Sequence, residues 1–462
     1  MSTPAYSISS RLSLRANFSW TFVGNVVYAG CQWGMLVVLA KLGSPEMVGQ
    51  FALGLAIAVP VMAFATLKTR LVQATDAKRE YLFGDYLGLR LITTALALLV
   101  IAGVVLVSGY RLETALVILA IGVAKTFESI SDVFYGLLQQ RERMDRVAKS
   151  LMIRGVLSLL ALSVGVYLTG SVFWGVVILA IAWASVLIGY DIRSGALMLS
   201  NLTPGEGDRR AVVRPRWEVR TLVRLAWLAL PLGIVVTLDA LRTSIPRYFV
   251  AQYLGEYGLG IFAPMAYLKK AGNTVIIALG LSACPRLAKY YAARNGLAFR
   301  TLLLKLVGIS VLVGGAAVLV SIVAGREILT LLYRPEYAQH QDVFVMLMVA
   351  AGIDFIATFL DYGMTAARYF RVQVPLLAVV TGTAALACLW LVPPYGLRGA
   401  AMAVIIATLV RLSGSLVIVL YALRALHRHT TKDEHHSVKM GKAQPALTSQ
   451  ARSSSHESYR HD

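Results

Sequence analysis

Long apolar runs separated by short polar stretches make up most of the chain between residues 17 and 423. Each run is about 20 residues long, the length that an α-helix needs to cross a hydrocarbon core of roughly 30 Å. Helices are expected because a helix satisfies its own backbone hydrogen bonds in lipid, and the runs lack the short alternating pattern of a membrane barrel. The pattern predicts twelve spans, at about 17–40, 47–67, 85–109, 113–137, 150–168, 172–190, 222–243, 256–282, 301–324, 341–363, 373–392 and 398–423.

The composition also indicates a polytopic membrane protein, since 57% of the 462 residues are hydrophobic and 15% are charged. Soluble proteins contain about 45–50% apolar and about 25% charged residues, and a core of limited volume cannot bury the excess. The net charge of +20 does not indicate a nucleic-acid partner, because the basic residues are scattered over short loops. Cys31, Cys284 and Cys388 lie in or beside apolar segments and are not expected to form a disulfide framework.

The distribution of Lys and Arg predicts the orientation of the chain. With a cytoplasmic N-terminus, most of these residues fall in loops on the cytoplasmic side, as the positive-inside rule requires. We therefore expect both termini in the cytoplasm. No cleavable signal peptide is expected, because the first apolar stretch is long and is interrupted by Asn17 and Asn25.

A polar, basic stretch with several Gly and Pro residues, 191–221, divides the spans into six plus six. We expect a six-helix lobe at 1–190, a cytoplasmic linker at 191–221, a second six-helix lobe at 222–425 and a disordered cytoplasmic tail at 426–462, which is too polar to fold alone. Most of the histidines lie in this tail. A metal-binding tract is an alternative interpretation, but no ligand spacing matches a defined site, so we expect neither a metal nor a cofactor.

The hairpin between the first two spans recurs in the second half of the chain. The segment "LAKLGSPEMVGQFALG" contains Leu42-Gly43, Gly49 and Phe51-Ala52, and "VAQYLGEYGLGIFAPMAYL" contains Leu254-Gly255, Gly260 and Phe262-Ala263. Both segments link the first and second span of their half and are expected outside. Because each half has an even number of spans, a duplication would relate two lobes by a pseudo-twofold axis along the membrane normal. Chance similarity of two Gly-containing turns is the alternative.

The first hairpin, extended to "LAKLGSPEMVGQFALGLAI", resembles the first-hairpin signature of the polysaccharide transporter family, the Wzx-type oligosaccharide flippase branch of the multidrug/oligosaccharidyl-lipid/polysaccharide superfamily. Residues 329–374, with their "YRPEY" turn, are similar to that family's region around spans nine to eleven. Twelve spans argue against the lipid II flippase branch, which usually has fourteen. The resemblance implies an all-α, V-shaped, two-lobed body with a central cavity in the bacterial inner (plasma) membrane.

The resemblance further implies movement of a polyprenyl-pyrophosphate-linked oligosaccharide from the inner to the outer leaflet, for lipopolysaccharide or exopolysaccharide synthesis. Membrane lipid surrounds such a protein, and polysaccharide polymerase or export proteins are the expected protein partners.

Charged residues near the middle of spans are costly to bury and therefore mark candidate transport pathways. The basic candidates for binding a pyrophosphate or an anionic glycan are Lys269, Lys270, Arg411 and Lys125. The acidic candidates for gating or for binding a coupling H⁺ or Na⁺ are Asp354, Asp239, Glu128 and Asp132.

Local ion pairing is the alternative role for Lys125 with Glu128 and for Asp239 with Arg242, because residues three apart are neighbours on a helix. The adjacent Lys269 and Lys270 point about 100° apart, so one of them is expected to face the cavity.

The sequence thus favours a secondary flippase that works by alternating access and is driven by an ion or cargo gradient. A multidrug or small-molecule exporter of the same superfamily is the main alternative, but basic residues at mid-membrane depth favour an anionic cargo. A glycan polymerase, ligase or glycosyltransferase is disfavoured, because the outside loops are short and the chain contains no P-loop, G-x-S-x-G or H-E-x-x-H motif.

Overall fold

The computed structural model describes residues 12–76, 78, 80–200 and 213–453, with the backbone alone at 14, 200, 370 and 426–453. Within these ranges all regular secondary structure is helical. The helices are α1 (Leu14–Leu42), α2 (Pro45–Thr66), α3 (Thr69–Thr75), α4 (Phe83–Ser108), α5 (Leu112–Gln140), α6 (Met144–Thr169), α7 (Val172–Val186), a π-helical turn (Leu187–Asp191), α8 (Ile192–Ser200), α9 (Val219–Ala292), α10 (Gly296–Val323), α11 (Gly325–Leu332), α12 (Pro335–Ala338), α13 (Gln341–Ala366) and α14 (Phe370–Ser453).

Ten helical segments in the described part of the chain are long and apolar enough to cross a membrane. The two longest, α9 and α14, are interrupted at glycines with left-handed φ angles: Gly255 has φ 70° and Gly396 has φ 59°. Arg242 and Lys269 flank Gly255 and line one small cavity, although a straight helix would separate them by about 40 Å. The chain therefore doubles back at Gly255, where the second hairpin is predicted. One reversal in α9 and one in α14 would divide the ten segments into the twelve spans that the sequence predicts.

The apolar cores are arranged differently at the two ends of the molecule. At the end that carries the hairpins, one continuous core contains residues of both halves, from α1, α2, α4 to α7, α9 and α11 to α14. At the opposite end, one core is formed by α4, α5, α6, the π turn, α8 and the start of α9. A separate core there is formed by the end of α9 with α10, α13 and α14. The halves are thus joined at the hairpin end and have independent cores at the other end.

The two hairpins pack against each other through a reciprocal glycine contact. A Cβ atom on Gly49 would overlap the carbonyl oxygen of Glu256, and a Cβ atom on Gly260 would overlap the carbonyl oxygen of Pro45. Gly49 follows Pro45 by four residues, and Gly260 follows Glu256 by four. The same contact is therefore made twice with the halves exchanged, as at an isologous twofold interface. This reciprocity supports the predicted internal duplication.

Two predicted boundaries need correction. The helix before the predicted linker at 191–221 ends later than the predicted residue 190, because α7 continues through the π turn into α8, which ends at Ser200. Asp191, which has the polarity of a loop residue, is fully buried. Residues 201–212 lie outside the described residues.

The predicted disordered tail also differs from the structure, because the backbone of α14 remains helical to Ser453. A helix that extends an existing span avoids the unfavourable nucleation step that an isolated polar helix would need. Residues 454–462 and the side chains of the tail histidines lie outside the described part of the chain.

Two clusters of buried charge as the candidate functional site

In the second half, Arg411 is held by two carboxylates of α13. Its Nε and Nη2 atoms donate to Asp361 Oδ2 at 3.1 and 2.5 Å, and its Nη1 atom donates to Asp354. Ser415 Oγ donates to the other oxygen of Asp361 at 2.7 Å. Arg411 and Asp354 are both buried. Arg411, predicted to bind substrate, therefore uses all three guanidinium nitrogens within an ion-pair network in this conformation.

Arg242 extends this network to α9. Its Nη1 atom donates to Asp354 Oδ1 at 3.2 Å, and its Nη2 atom donates to Asp239 Oδ1 at 2.9 Å. The local pair expected between Asp239 and Arg242 is thus present, and Asp354 bridges Arg242 and Arg411. The side chain of Asp239 is 55% exposed, so this carboxylate forms the accessible edge of the network.

Beside the network, a cavity of about 50 Å³ is lined by three cationic side chains, Arg242, Arg247 and Lys269. The rest of its lining is mainly apolar and includes Phe262 and Leu347. Neither Arg247 nor Lys269 forms an ion pair or a side-chain hydrogen bond with any residue that the structure describes. Fixed cations that lack carboxylate partners in a low-dielectric site attract an anion strongly.

Lys270 has a different environment from Lys269. Its side chain is exposed, its Nζ atom donates to the Tyr267 hydroxyl at 3.0 Å, and this nitrogen lies 4.6 Å from the centre of the Tyr267 ring. Of the two adjacent lysines, Lys269 alone lines the cavity, as the angle between neighbouring helix positions predicts.

In the first half, the predicted pair on α5 is present. Lys125 Nζ donates to Glu128 Oε2 at 2.6 Å, and the Tyr28 hydroxyl donates to Glu128 Oε1 at 2.8 Å. The Lys125 ammonium also lies 5.3 Å from the centre of the buried Trp183 ring. Glu128 therefore links α5 to α1, and its negative charge is matched by Lys125.

Asp132, on the same face of α5, has separate partners. It accepts from Arg70 Nη1 at 3.2 Å and from Arg90 Nη2 at 3.4 Å. Arg90 is almost fully buried and also donates to Thr69 Oγ1 at 2.6 Å. Asp132 thus connects α5 to α3 and α4.

A third pair in this half was not anticipated from the sequence. Arg154 Nη2 donates to Asp191 Oδ2 at 3.1 Å and to Ser131 Oγ at 2.5 Å, and Ser150 Oγ donates to Asp191 Oδ1 at 2.5 Å. Both charged side chains are 0% exposed. The sequence feature that could have indicated this pair is a single arginine within an otherwise apolar run. Arg154 and Arg90 both have this feature.

Both clusters have four cations and three carboxylates, an excess of one positive charge each. The second-half cluster consists of Arg242, Arg247, Lys269 and Arg411 with Asp239, Asp354 and Asp361. The first-half cluster consists of Arg70, Arg90, Lys125 and Arg154 with Glu128, Asp132 and Asp191. Among the described residues, no group of three or more His, Cys, Asp or Glu side chains is placed to hold a metal ion.

Polar contacts between the halves close the hairpin end. Glu256 accepts from Gln50 Nε2 at 3.1 Å and from the Thr114 hydroxyl. Trp33 Nε1 donates at 3.3 Å to the hydroxyl of Tyr333, the first residue of the "YRPEY" turn. The Tyr333 hydroxyl in turn donates to the carbonyl oxygen of Pro264 at 3.1 Å, and burial raises the pKa of Tyr333 to about 12.

Comparison with known proteins identifies the family of this chain. Residues 14–291 match the family model described as "Polysaccharide biosynthesis protein". The chain is 28% identical over 400 residues to the capsular polysaccharide biosynthesis protein CapF of Staphylococcus aureus, an alignment that covers 86% of this chain and 96% of CapF.

Solved structures show a similar fold at low sequence identity. The inward-facing conformation of a multidrug resistance MATE family transporter of the MOP superfamily aligns with 91% of this chain and 97% of its own, with a TM-score of 0.59 at 14% identity. A MATE transporter of Vibrio cholerae aligns with 89% of this chain and 96% of its own, with a TM-score of 0.56 at 14% identity. The fold is therefore that of MOP-superfamily transporters.

Proposed function

We propose that this chain, which belongs to the polysaccharide biosynthesis protein family, is a flippase for lipid-linked oligosaccharide. It is a multi-pass membrane protein whose fold is shared with transporters. Its substrate is a polyprenyl-pyrophosphate-linked glycan, which it moves from the cytoplasmic to the outer leaflet of the bacterial inner membrane. The observation that carries the proposal is the cavity at Arg247 and Lys269, where two cations lack carboxylate partners among the described residues.

The charge of the substrate fits this arrangement. A pyrophosphate diester carries two negative charges that must leave water when the head group enters the membrane. An ammonium group binds phosphate as a point charge, and a guanidinium group binds it through paired hydrogen bonds. Lys269 and Arg247 supply one group of each kind, while Arg242 lines the same cavity and is held in position by Asp239 and Asp354.

The ion-pair network also provides a route for ion coupling. Asp354 accepts from both Arg242 and Arg411. A proton or Na⁺ bound at Asp354 neutralises this carboxylate and removes one of the two carboxylates that hold Arg242. Occupancy of Asp354 therefore changes the charge that the cavity presents to the substrate. Asp239, Glu128 and Asp132 are the other candidates for this coupling role.

The different packing of the two ends supports a mechanism of alternating access. The reciprocal hairpin contact and the shared core close one end, while the opposite end has a separate core in each half. The positive-inside rule assigns the separated end to the cytoplasm. Substrate then enters from the cytoplasmic leaflet, and rocking of the lobes about the central charges releases it outside to the polymerase or export proteins.

The same cavity argues against export of a cationic compound, although the chain shares its fold with a multidrug resistance transporter. A cationic cargo requires an excess of carboxylates, whereas three basic side chains line this cavity. The proposed cargo is therefore anionic.

A complementation experiment tests the proposal in cells. We expect cells that lack this chain to lose surface polysaccharide and to accumulate lipid-linked oligosaccharide on the cytoplasmic leaflet. Wild-type chain and Lys270→Gln restore surface polysaccharide. Lys269→Gln lowers the recovery at least about tenfold, because a charge-assisted contact to the pyrophosphate is lost. Immunoblotting of membranes controls for equal protein levels. Full recovery with Lys269→Gln at equal protein level, or normal surface polysaccharide in the deleted cells, contradicts the proposal.

A further inference from the structure

A basic cleft lies in the first half, at the end of the molecule remote from the hairpins. It is formed between the start of α6 and the segment where the π turn passes into α8, and its volume is about 400 Å³. Its lining comprises Arg143, Asp145, Arg146, Lys149, Gly189, Tyr190, Arg193, Ser194 and Leu197. Four cations and one carboxylate therefore share one cleft, which is separate from the charge clusters described above.

The single carboxylate neutralises only one of the four cations. Arg143 Nε and Nη2 donate to the two oxygens of Asp145 at 2.9 and 3.0 Å. Arg146, Lys149 and Arg193 form no ion pair or side-chain hydrogen bond with any residue in the described ranges. The cleft thus presents three positive charges that lack a counter-ion among the described residues.

Aromatic and apolar side chains surround these charges. The Lys149 ammonium lies 5.4 Å from the centre of the Trp20 ring on α1, and Tyr190 belongs to the lining. Next to the cleft, Ile188 and Leu197 are 64% and 40% exposed. Indole and phenol rings beside basic residues are typical of the boundary between headgroups and hydrocarbon. The cleft therefore lies at the depth of lipid phosphates.

We propose that this cleft binds the phosphate of an anionic membrane lipid in the leaflet on the linker side. The phosphate contacts Arg146, Lys149 and Arg193, and the acyl chains lie against Ile188 and Leu197. Basic pockets between helix ends on the cytoplasmic side of membrane proteins bind anionic headgroups by this combination of charge and apolar contact. A soluble anion has no acyl chains and would make no contact with the apolar side chains beside the cleft. The proposal does not depend on the identity of the transported substrate.

Native mass spectrometry of the purified full-length chain, titrated with phosphatidylglycerol, tests the site. We expect a first phosphatidylglycerol to bind with at least about tenfold higher apparent affinity than phosphatidylcholine. Neutralising the three cations of the cleft in the variant Arg146→Gln/Lys149→Gln/Arg193→Gln should remove this preference. The matched control neutralises three exposed basic residues of the second half on the same predicted side of the membrane and should leave the preference unchanged. This control is Arg286→Gln/Lys289→Gln/Arg300→Gln.

A variant with the opposite expected effect keeps the test decisive if the triple variant folds poorly. Asp145→Asn removes the carboxylate that occupies Arg143, so phosphatidylglycerol should bind several-fold more tightly. Equal losses in the two triple variants, or unchanged or weaker binding with Asp145→Asn, overturn the proposal. Displacement of phosphatidylglycerol by inorganic phosphate at equal concentration assigns the cleft to a free anion and overturns the lipid assignment.

Discussion

At the scale of single residues, most charges within the spans are held by partners on other helices. Arg154 pairs with Asp191 without any exposure of either side chain, and Arg411 pairs with Asp354 and Asp361. An ion buried in a low-dielectric interior costs several kcal/mol unless a partner compensates it. These pairs therefore make the helices of each half interdependent, and removal of one member should be far more damaging than removal of both.

The pair of Arg154 and Asp191 gives a direct test of this interdependence. Asp191→Asn leaves a buried, uncompensated guanidinium and should lower the free energy of unfolding by about 3–5 kcal/mol. The thermal-unfolding midpoint in detergent measures the loss. The double variant Arg154→Met/Asp191→Leu should recover most of it.

The exposed pair of Arg398 and Asp342 is the matched control for that measurement. Its side chains are 68% and 41% exposed, and exposed ion pairs contribute about 0–1 kcal/mol. Asp342→Asn should therefore shift the midpoint only slightly. A loss with Asp342→Asn equal to that with Asp191→Asn would show that buried pairing is not the cause.

The sequence allowed only part of this charge arrangement to be predicted. Lys125 with Glu128 and Asp239 with Arg242 were accessible because residues three apart meet on one helix. Arg154 and Asp191 are separated by 37 positions, and Arg411 and Asp354 by 57. Such partners depend on the packing of helices, which hydropathy does not specify.

At the scale of elements, the two hairpins close one end of the molecule through backbone contacts. Gly49 and Gly260 are required there because any side chain would meet a carbonyl oxygen of the opposite hairpin. Polar contacts from Gln50 and Thr114 to Glu256 reinforce the same junction. We therefore propose that the hairpins act as the gate on the side opposite the linker.

Gly49→Ala and Gly260→Ala should open this gate to similar extents, because the two contacts are equivalent. The measurement is the distance between spin labels at Leu42 and Tyr257, which are exposed at the hairpin end, in a cysteine-free background. We expect a longer-distance population in both variants. Gly103→Ala should not change the distances, since a Cβ there meets no atom within 4 Å. Unchanged distances in both hairpin variants would contradict the gate.

Hydropathy predicted the helices and hairpins well, but it did not predict where the first half ends. Asp191 carries a charge and follows an apolar run, so the span was predicted to stop at residue 190. Burial against Arg154 and Ser150 allows the helix to continue to Ser200. The boundary thus depended on a partner from another helix.

At the scale of the whole molecule, two halves share a core at the hairpin end and keep separate cores at the linker end. Each half contributes a charge cluster with one excess positive charge, and the cavity at Lys269 lies in the second. In the proposed mechanism, an anion that enters from the linker side meets fixed cations while the hairpin gate is closed. Opening of the gate and closing of the linker end would then complete one transport cycle.

A translocation measurement on the purified chain in liposomes tests the proposed flippase activity directly. A polyprenyl-pyrophosphate-linked oligosaccharide is placed in one leaflet, and its appearance in the other is followed with a membrane-impermeant glycan-cleaving enzyme. We expect translocation without ATP, at a rate that Lys269→Gln reduces at least about tenfold and that Lys270→Gln leaves unchanged. Translocation no faster than in protein-free liposomes, with correctly folded protein, would contradict the proposed flippase activity.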